Sequence, residues 1–373
     1  MKHTTTTLLL FTLASCGGPD DLTHDLEGAE QAVTGATFLG ARSCPPGSPS
    51  CNNCVNDLRA TLDAGFDGAF NWDAKPWRFE WTRDYPPTGR SPSSAFQDDS
   101  LIPDHHVQGF VRTNSTHIRF MMTHSDESAG SIARIEQLSD GRKRLDTLVR
   151  STIAHPSGGQ VLGGFFAFAE HNTLRVLDVD GPATDLRQAF PRTDSRRTGA
   201  DGAGGGLGAV RLSDGRTMIV VSTPGGDGSA TRRTLFYVKD GDIASPAPLR
   251  LVGETPYSQP AGWSGDYQRS ENLSVLTECS TGKIYTLHAT GEVDGARAYF
   301  RLSRVDTDPD GQARLTTLKA YNTTQNLFNC HLRSSGTAFA TPTHRLELYC
   351  HQWATKRFFF FDSNGEFYFN VAN

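Results

Sequence analysis

The stretch IRFMMTHSD, Ile118–Asp126, is a run of strand-forming residues that ends in histidine, serine and aspartate. A short apolar run followed at once by polar residues predicts a buried strand that leaves its sheet for water. The same pattern returns four times, and histidine stands at the strand end in four of the five copies. The other copies are FFAFAEHN (Phe165–Asn172), MIVVSTPGG (Met218–Gly226), IYTLHATGE (Ile284–Glu292) and LELYCHQW (Leu346–Trp353).

The repeated strand predicts the fold class. The copies recur at intervals of about 47 to 65 residues, and each has one strand-like segment before it and two after it. Four strands per repeat are typical of an all-β β-propeller built from four-stranded blades. We expect five blades, or six if Phe70–Tyr85 forms a blade of its own instead of a further strand. The predicted turns are Ser139–Gly141, Ser213–Gly215, Thr281–Gly282, Asp310–Gly311 and Asn364–Gly365.

The N-terminus has the pattern of an export signal. Lys2 is followed by the apolar run Leu8–Leu13, which is too short to cross a bilayer as a stable helix. The next residues, up to Cys16, resemble the lipobox of bacterial lipoproteins. This resemblance implies cleavage before Cys16 and lipidation of that residue, which would anchor the protein to a membrane of the bacterial cell envelope. Ordinary secretory cleavage, with Cys16 incidental, is the alternative.

These features divide the chain into three parts. We predict a signal peptide at residues 1–15, a flexible tether at 16–40, and a single propeller domain at 41–373 with an N-terminal extension at 41–100. The one credible helix in that extension is Asn53–Ala64, where Val55, Leu58 and Leu62 share one side.

The cysteines predict disulfide bonds. The chain has 7 cysteines, so an even set remains beside Cys16, and an even set in an exported chain is typical of disulfides. The spacing of Cys51 and Cys54 also fits a redox or zinc motif, but no strand–helix–strand pattern surrounds it. We expect a structural disulfide that ties down the N-terminal helix, with Cys44 as one candidate partner. The candidate disulfide residues are Cys44, Cys51, Cys54, Cys279, Cys330 and Cys350.

The architecture gathers histidines at one end of the molecule. In a blade, the segment before the first strand and the segment after the second strand lie at the same mouth of the central channel. Segments that open first strands are DHHVQG (Asp104–Gly109), HPSGGQ (His155–Gln160) and YQRSEN (Tyr267–Asn272). We therefore predict a mouth lined by histidines from distant parts of the chain. The alternative for any single histidine is that it only caps a strand end.

Three chemistries suit such a mouth: metal coordination, acid–base catalysis and ligand binding. The metal would be a divalent ion, zinc or calcium. The candidate metal ligands are His106, His124, His155, His171 and Asp126. The candidate catalytic residues are His106, His155 and Tyr267. The candidate ligand-binding residues are Gln108, Gln160, Glu271, Asn272 and Trp353.

The composition and one weaker motif bear on the choice of ligand. The formal net charge is −5, and lysine and arginine are scattered, so we do not expect nucleic acid as a partner. The segment Asp306–Gly311 copies the first half of a calcium loop, but Thr317 stands where the closing glutamate should be. This segment is predicted to be a hairpin turn, with a weak structural calcium site as the alternative.

Four segments resemble a family of uncharacterised, exported bacterial β-propeller proteins. They are DHHVQGF, HPSGGQVLGGFFAFA, ENLSVLTECSTGKIYTLHATGE and TPTHRLELYCHQW, which together extend from Asp104 to Trp353. The family pattern Asp-His-x-Gln-Gly is matched here with an inserted histidine. A Tyr-x-Thr-Glu-His pattern of the last blade is replaced by Tyr349–Trp353, YCHQW. The resemblance implies the fold and export, and it implies no activity.

The sequence therefore predicts a lipid-anchored envelope protein that binds an extracellular or periplasmic ligand, a carbohydrate or a peptide, at its histidine-rich mouth. One alternative is a metal-dependent polysaccharide lyase or glycoside hydrolase that uses the same residues. Another is a structural protein of an envelope assembly. An enzyme requires several imidazoles within reach of one another, whereas an assembly protein requires a flat apolar patch away from the channel.

Overall fold

The structure is a computed structural model, and its N-terminal part is a short segment with two strands and one helix. These are β1 (Cys54–Val55), α1 (Leu58–Asp67) and β2 (Trp77–Glu80). The residues that the structure describes are 54–67, 77–80, 105–113, 117–125, 130–140, 143–151, 158–170, 173–180, 186–191, 206–222, 233–256, 272–291, 298–323, 338–351 and 363–370.

The first three sheets each contain four consecutive antiparallel strands. The first sheet contains β3 (His105–Arg112), β4 (Ile118–Ser125), β5 (Gly130–Gln137) and β6 (Lys143–Ser151). The second contains β7 (Gly159–Leu162), β8 (Phe165–Glu170), β9 (Thr173–Asp178) and β10 (Leu186–Ala189). The third contains β11 (Leu207–Arg211), β12 (Arg216–Ser222), β13 (Arg233–Asp240) and β14 (Arg250–Pro256).

The remaining two sheets include the N-terminal strands. The fourth contains β15 (Asn272–Glu278), β16 (Ile284–Gly291), β17 (Ala298–Thr307) and β18 (Ala313–Thr323), with β1 added beside β15. The last contains β19 (Ala338–Ala340), β20 (Leu346–His351) and β21 (Ser363–Asn370), with β2 as its outer strand.

The sheets are arranged around an axis. The first strands of the first four sheets, β3, β7, β11 and β15, contact one another at the centre, and β20 of the last sheet contacts β3 of the first. The core lies between the faces of adjacent sheets. There, for example, the ring of Phe120 on β4 stacks on that of Phe166 on β8, with centroids 4.6 Å apart. The prediction of an all-β propeller is therefore confirmed.

The predicted strand within Phe70–Tyr85 is β2, and it completes the last sheet. Its residues pair antiparallel with β21, with Phe79 opposite Asn364. In the described part of the chain, this segment forms no sheet of its own. The predicted turn at Asn364–Gly365 is wrong, because both residues lie inside β21. Pairing with a strand from the distant N-terminal segment outweighs the local preference of Asn-Gly for a turn.

Helix α1 begins later than the sequence pattern indicates. The residues predicted as its first turn instead form β1, which pairs in parallel with the end of β15. Asp57 then caps the helix, because its side chain accepts a hydrogen bond of 3.2 Å from the amide of Ala60. Leu58 and Leu62 are fully buried in the core between the fourth and last sheets.

A disulfide bond ties this N-terminal segment to the fourth sheet. Cys54 of β1 is bonded to Cys279, which directly follows β15. The expectation of a disulfide that anchors the N-terminal segment is confirmed, but the partner is Cys279, not Cys44, because β1 lies beside β15. Cys350 lies in β20. The other disulfide candidates, Cys44, Cys51 and Cys330, lie outside the described residues, as does the predicted lipidation site Cys16.

Candidate functional site

One end of the molecule collects the strand ends that the sequence analysis singled out. The strands β3, β7, β11 and β15 begin there, and their antiparallel neighbours β4, β8, β12 and β16 end there. The ladders show this directly, since Leu207 pairs with Val221 and Asn272 pairs with Ala289. We call this end the mouth.

Two predicted site histidines are cross-strand partners at the mouth. The backbone register of β3 and β4 places His106 opposite His124, with His105 opposite Ser125 beside them. The register shifts between Val107 and Gly109, so the intervening Gln108 lies at a bulge. Bulges are frequent next to functional sites, because the extra residue redirects the strand. The ladder therefore brings together two histidines that are separate in the sequence.

Gln160 serves the packing of the central strands. Its side chain is buried, and its amide nitrogen donates to the carbonyl oxygens of Val275 at 3.0 Å and Ala209 at 3.3 Å. Its amide oxygen accepts hydrogen bonds from the backbone amides of the same two residues, at 2.9 and 3.3 Å. One side chain thus joins β7, β11 and β15 across the axis. We assign it a structural role in place of the predicted ligand-binding role.

The sequence pattern predicts His288 at a strand end, but the structure places it inside a strand. It lies inside β16, three residues before the end of the strand, and only 3 % of it is exposed. Neither of its ring nitrogens has a hydrogen-bond partner among the described residues. Burial, with a smaller contribution from the positive charge of Arg301, holds the pKa of His288 well below its ordinary value. This histidine is a neutral core residue.

A buried ion pair near the mouth was missed by the sequence analysis. Glu170, the last residue of β8, accepts a hydrogen bond from the guanidinium of Arg175 on β9, and both side chains are almost fully buried. The guanidinium also lies 5.5 Å from the ring centroid of Phe168. A signal was present, because Arg175 is the one charged residue within the apolar run TLRVL. A charge in a buried-strand pattern predicts a buried partner.

The remaining predicted site residues are distributed as follows. Asn272 is the first residue of β15 at the mouth, and it is 3 % exposed. The other predicted site residues lie outside the described part of the chain. They are His155, His171, Asp126, Tyr267, Glu271 and Trp353.

Three potential metal ligands among the described residues lie together at the end of the molecule opposite the mouth. Cys54, Cys279 and His344 place one potential ligand atom each within 4.8 Å of one another. The half-calcium loop forms a tight hairpin between β17 and β18, in which the Asp308 carboxylate accepts hydrogen bonds from the amides of Asp310 and Gln312. Its first carboxylate, Asp306, is hydrogen-bonded to Arg304. The hairpin prediction is therefore confirmed.

Comparisons with known proteins give low similarity throughout. No protein-family model matches the chain, and a search of curated protein sequences gave no match. Among solved structures, the levansucrase of Bacillus subtilis in complex with oligosaccharides aligns with a TM-score of 0.33 and 10% identity over 73% of this chain and 69% of that one. The hemagglutinin-neuraminidase of Parainfluenza Virus 5 aligns at 0.35 and 8%, over 82% of each chain.

A polysaccharide lyase, Uly1, aligns with a TM-score of 0.29 and 9% identity, over 68% of this chain and 56% of that one. Within the described ranges, no helix is long and apolar enough to cross a membrane. The fold and the mouth define an all-β protein with a propeller arrangement.

Proposed function

We propose that the protein is a β-propeller lipoprotein of the bacterial cell envelope that binds a carbohydrate at its mouth. The observation that supports it is the register that pairs His106 with His124. Opposite residues in an antiparallel ladder have Cα atoms about 4.5 to 5.5 Å apart, so both histidines can serve one ligand. In this proposal the five sheets act as the blades of one ring, and the mouth is its binding end.

The chemistry of the mouth suits a ligand rich in hydroxyl groups. A neutral imidazole both donates and accepts hydrogen bonds, as a sugar hydroxyl does. Among the residues that the sequence assigns to this end, Gln108 and Glu271 add further polar groups, and Trp353 adds an aromatic face. The mild net charge of −5 favours no highly charged ligand.

The test is binding of purified protein to a panel of bacterial, plant and algal glycans, with a matching panel of peptides. We expect a glycan ligand whose affinity falls at least tenfold in His106→Ala and in His124→Ala. His117→Ala is the matched control, since His117 is exposed and directly precedes β4 at the end opposite the mouth. It should bind as the unmodified protein does. Binding of peptides only, or equal affinities in all variants, would exclude the proposal.

A second candidate function is supported by the same pair of histidines. Histidines on opposite residues of a ladder can bind one ion, and two imidazoles would be half of a tetrahedral zinc site. Catalytic zinc sites combine three protein ligands with water. His155, His171 and Asp126 are the sequence candidates for the further ligand. Tyr267 is the candidate acid–base residue. The activity would be lysis or hydrolysis of a polysaccharide.

This second candidate is separated from simple binding by turnover. A metal-dependent enzyme should release new chain ends from a bound polysaccharide, stop when a chelator removes the metal, and recover when zinc is returned. His155→Ala should lower the metal content of the purified protein, while His117→Ala should leave it unchanged. If a bound glycan stays intact and the purified protein contains no metal, the enzyme candidate is excluded and glycan binding is the function that remains.

The proposed membrane anchor rests on Cys16 and is tested separately. Cells expressing the chain should incorporate a labelled fatty acid into it, and Cys16→Ala should abolish the labelling and release the protein from the membrane fraction. Labelling that persists in Cys16→Ala would contradict the lipoprotein proposal and would leave the binding proposal untouched.

A further inference from the structure

Three potential metal ligands meet at the end of the molecule opposite the mouth. Cys54 comes from β1, Cys279 follows the end of β15, and His344 lies in the turn between β19 and β20. The two sulfur atoms and a ring nitrogen of the histidine all lie within 4.8 Å of one another. The cysteines are 3 % and 9 % exposed, and the histidine is half-buried. The cluster therefore joins the N-terminal segment, the fourth sheet and the last sheet.

Backbone hydrogen bonds hold these three residues together independently of the disulfide. The amide of Cys279 donates to the carbonyl of Val55 at 3.0 Å, and the amide of Asn56 donates to the carbonyl of His344 at 3.1 Å. Parallel pairing of β1 with β15 adds to this. The ligand positions thus remain close when the sulfur–sulfur bond is absent, which is the preorganisation that a metal site requires.

His344 has the local arrangement of a metal ligand. Its Nδ1 atom lies 3.3 Å from the carbonyl oxygen of Cys54. In the tautomer with the proton on Nδ1, this atom donates to the carbonyl oxygen, and Nε2 keeps the lone pair that binds a metal. Metal-ligating histidines commonly donate their second ring nitrogen to a backbone carbonyl in this way. The backbone of His344 has a φ of 62°, a left-handed conformation that is uncommon outside glycine and marks a constrained position.

We propose that Cys54, Cys279 and His344 form a redox-gated zinc site. Two electrons and two protons, supplied by a thiol or phosphine reductant that is itself oxidised, convert the disulfide to two thiols. Zn²⁺ then replaces both thiol protons and forms two zinc–sulfur bonds and one zinc–nitrogen bond, with water in the fourth position. Donor atoms of a tetrahedral zinc site lie about 3.5 to 3.8 Å apart, so the three side chains need only small rotations.

The experiment measures zinc binding by the full mature chain with and without reduction. Reduced protein, prepared without oxygen, competes for zinc against a chromophoric chelator. We expect reduced wild-type protein to bind one more equivalent than the reduced double variant Cys54→Ser/Cys279→Ser. Oxidised wild-type protein should lack that equivalent. Substitution by Co²⁺ should give thiolate-to-cobalt charge-transfer absorption in the reduced wild-type protein only.

The histidine is tested by His344→Asn, because asparagine tolerates the left-handed conformation and the variant keeps both cysteines. We expect its zinc affinity to fall at least tenfold, while His117→Asn, the matched surface control, keeps the wild-type affinity. Circular dichroism of each variant shows whether it is folded. Equal zinc binding by reduced wild-type protein and the cysteine double variant would overturn the site. Unchanged affinity in folded His344→Asn would overturn it as well.

Discussion

His288 is a histidine that the fold keeps neutral. It is almost fully buried, and Arg301 is its direct partner in the ladder between β16 and β17. Burial lowers its pKa, and the positive charge of Arg301 lowers it further. An unfolded chain takes up a proton at this residue near pH 6.5, whereas the folded chain does not. Stability is therefore full above that pH and falls as the pH drops toward the pKa of the folded state.

The substitution His288→Leu should remove this acid sensitivity. A leucine cannot take up a proton in the unfolded state, so the free energy of unfolding should fall less steeply below pH 6.5 than in the wild type. The difference in slope should reach about 1.4 kcal/mol per pH unit. Urea denaturation between pH 8 and pH 5 measures it.

Thr286→Val is the matched control for that experiment. Thr286 is two residues away on the same strand, is fully buried, and its hydroxyl also lacks a partner among the described residues. It does not titrate, so the valine variant should keep the wild-type dependence on pH. Parallel pH profiles for wild type and His288→Leu would show that His288 takes up its proton in the folded state too.

The structural role of Gln160 could not be predicted from its residue type. In the sequence it stands at the start of a first strand, where a polar side chain at a channel mouth is a reasonable ligand-binding candidate. In the structure, four hydrogen bonds to the backbone of β11 and β15 occupy its amide. Those partners are distant in sequence, and only the circular arrangement of the sheets brings them to it.

At the scale of elements, the backbones of the third and fourth sheets approach closely where β14 passes β18. A Cβ atom at Gly253 would lie 2.0 Å from the carbonyl oxygen of Ala313. Two residues further along β14, the hydroxyl of Thr255 accepts a hydrogen bond of 2.8 Å from the amide of Leu315. Here the backbone of one sheet packs on the backbone of the next, and glycine is the residue that permits it.

Gly253→Ala should therefore separate the two strands. The clash is with backbone atoms, which no side-chain rotation relieves, so we expect a loss of about 1–3 kcal/mol in the free energy of unfolding. Glu254→Ala is the matched control. Glu254 is the next residue, and its partly exposed ion pair with Arg233 is worth about 1 kcal/mol or less. Equal losses in the two variants, measured by urea denaturation, would contradict the close approach.

The sequence predicts those elements whose structure is determined locally. The Ser213–Gly215 and Thr281–Gly282 turns are observed, because each glycine has the positive φ that such a turn needs, 88° at Gly215 and 68° at Gly282. Asn364–Gly365 carries an equally strong turn signal, yet it lies within β21. The difference is the pairing with β2, a strand that lies far away in the sequence. The sequence predicts that strand but not its partner.

The candidate site, like the turns, was predicted only in part from the sequence. The recurrence of strands ending in histidine led to His124, the segment that opens the first strand led to His106, and the ladder pairs the two residues. The same recurrence also led to His288, which is buried inside its strand. A histidine in an apolar run is compatible with either position, and the length of the strand decides between them. Strand length depends on pairing with β17, which the sequence does not show.

At the scale of the whole molecule, the N-terminal segment holds the fourth and last sheets together. The disulfide bond joins residues separated by 225 positions. Helix α1 fills the space between the fourth and last sheets, and the Asp63 carboxylate accepts hydrogen bonds from Lys319 at 2.6 Å and Tyr321 at 2.9 Å. Covalent and noncovalent contacts therefore reinforce the same junction.

Removing the disulfide by Cys54→Ala/Cys279→Ala should weaken this junction without abolishing the fold. Loss of a cross-link over so long a loop should cost about 2–5 kcal/mol in the free energy of unfolding. The contacts of α1 should keep the variant folded. Urea denaturation of wild type and variant under oxidising conditions measures the difference. An unchanged midpoint and slope would show that the cross-link contributes nothing to the closure.

The pairing of β2 with β21 has a consequence for the order in which the protein is made. A strand produced early in synthesis has to wait, unpaired, until nearly the whole polypeptide has followed it. Such remote partners make ring completion a late and slow event in folding. Until then the edge of β2 and the apolar side of α1 are open to other chains, so the nascent protein is most vulnerable to aggregation just before β21 is synthesised.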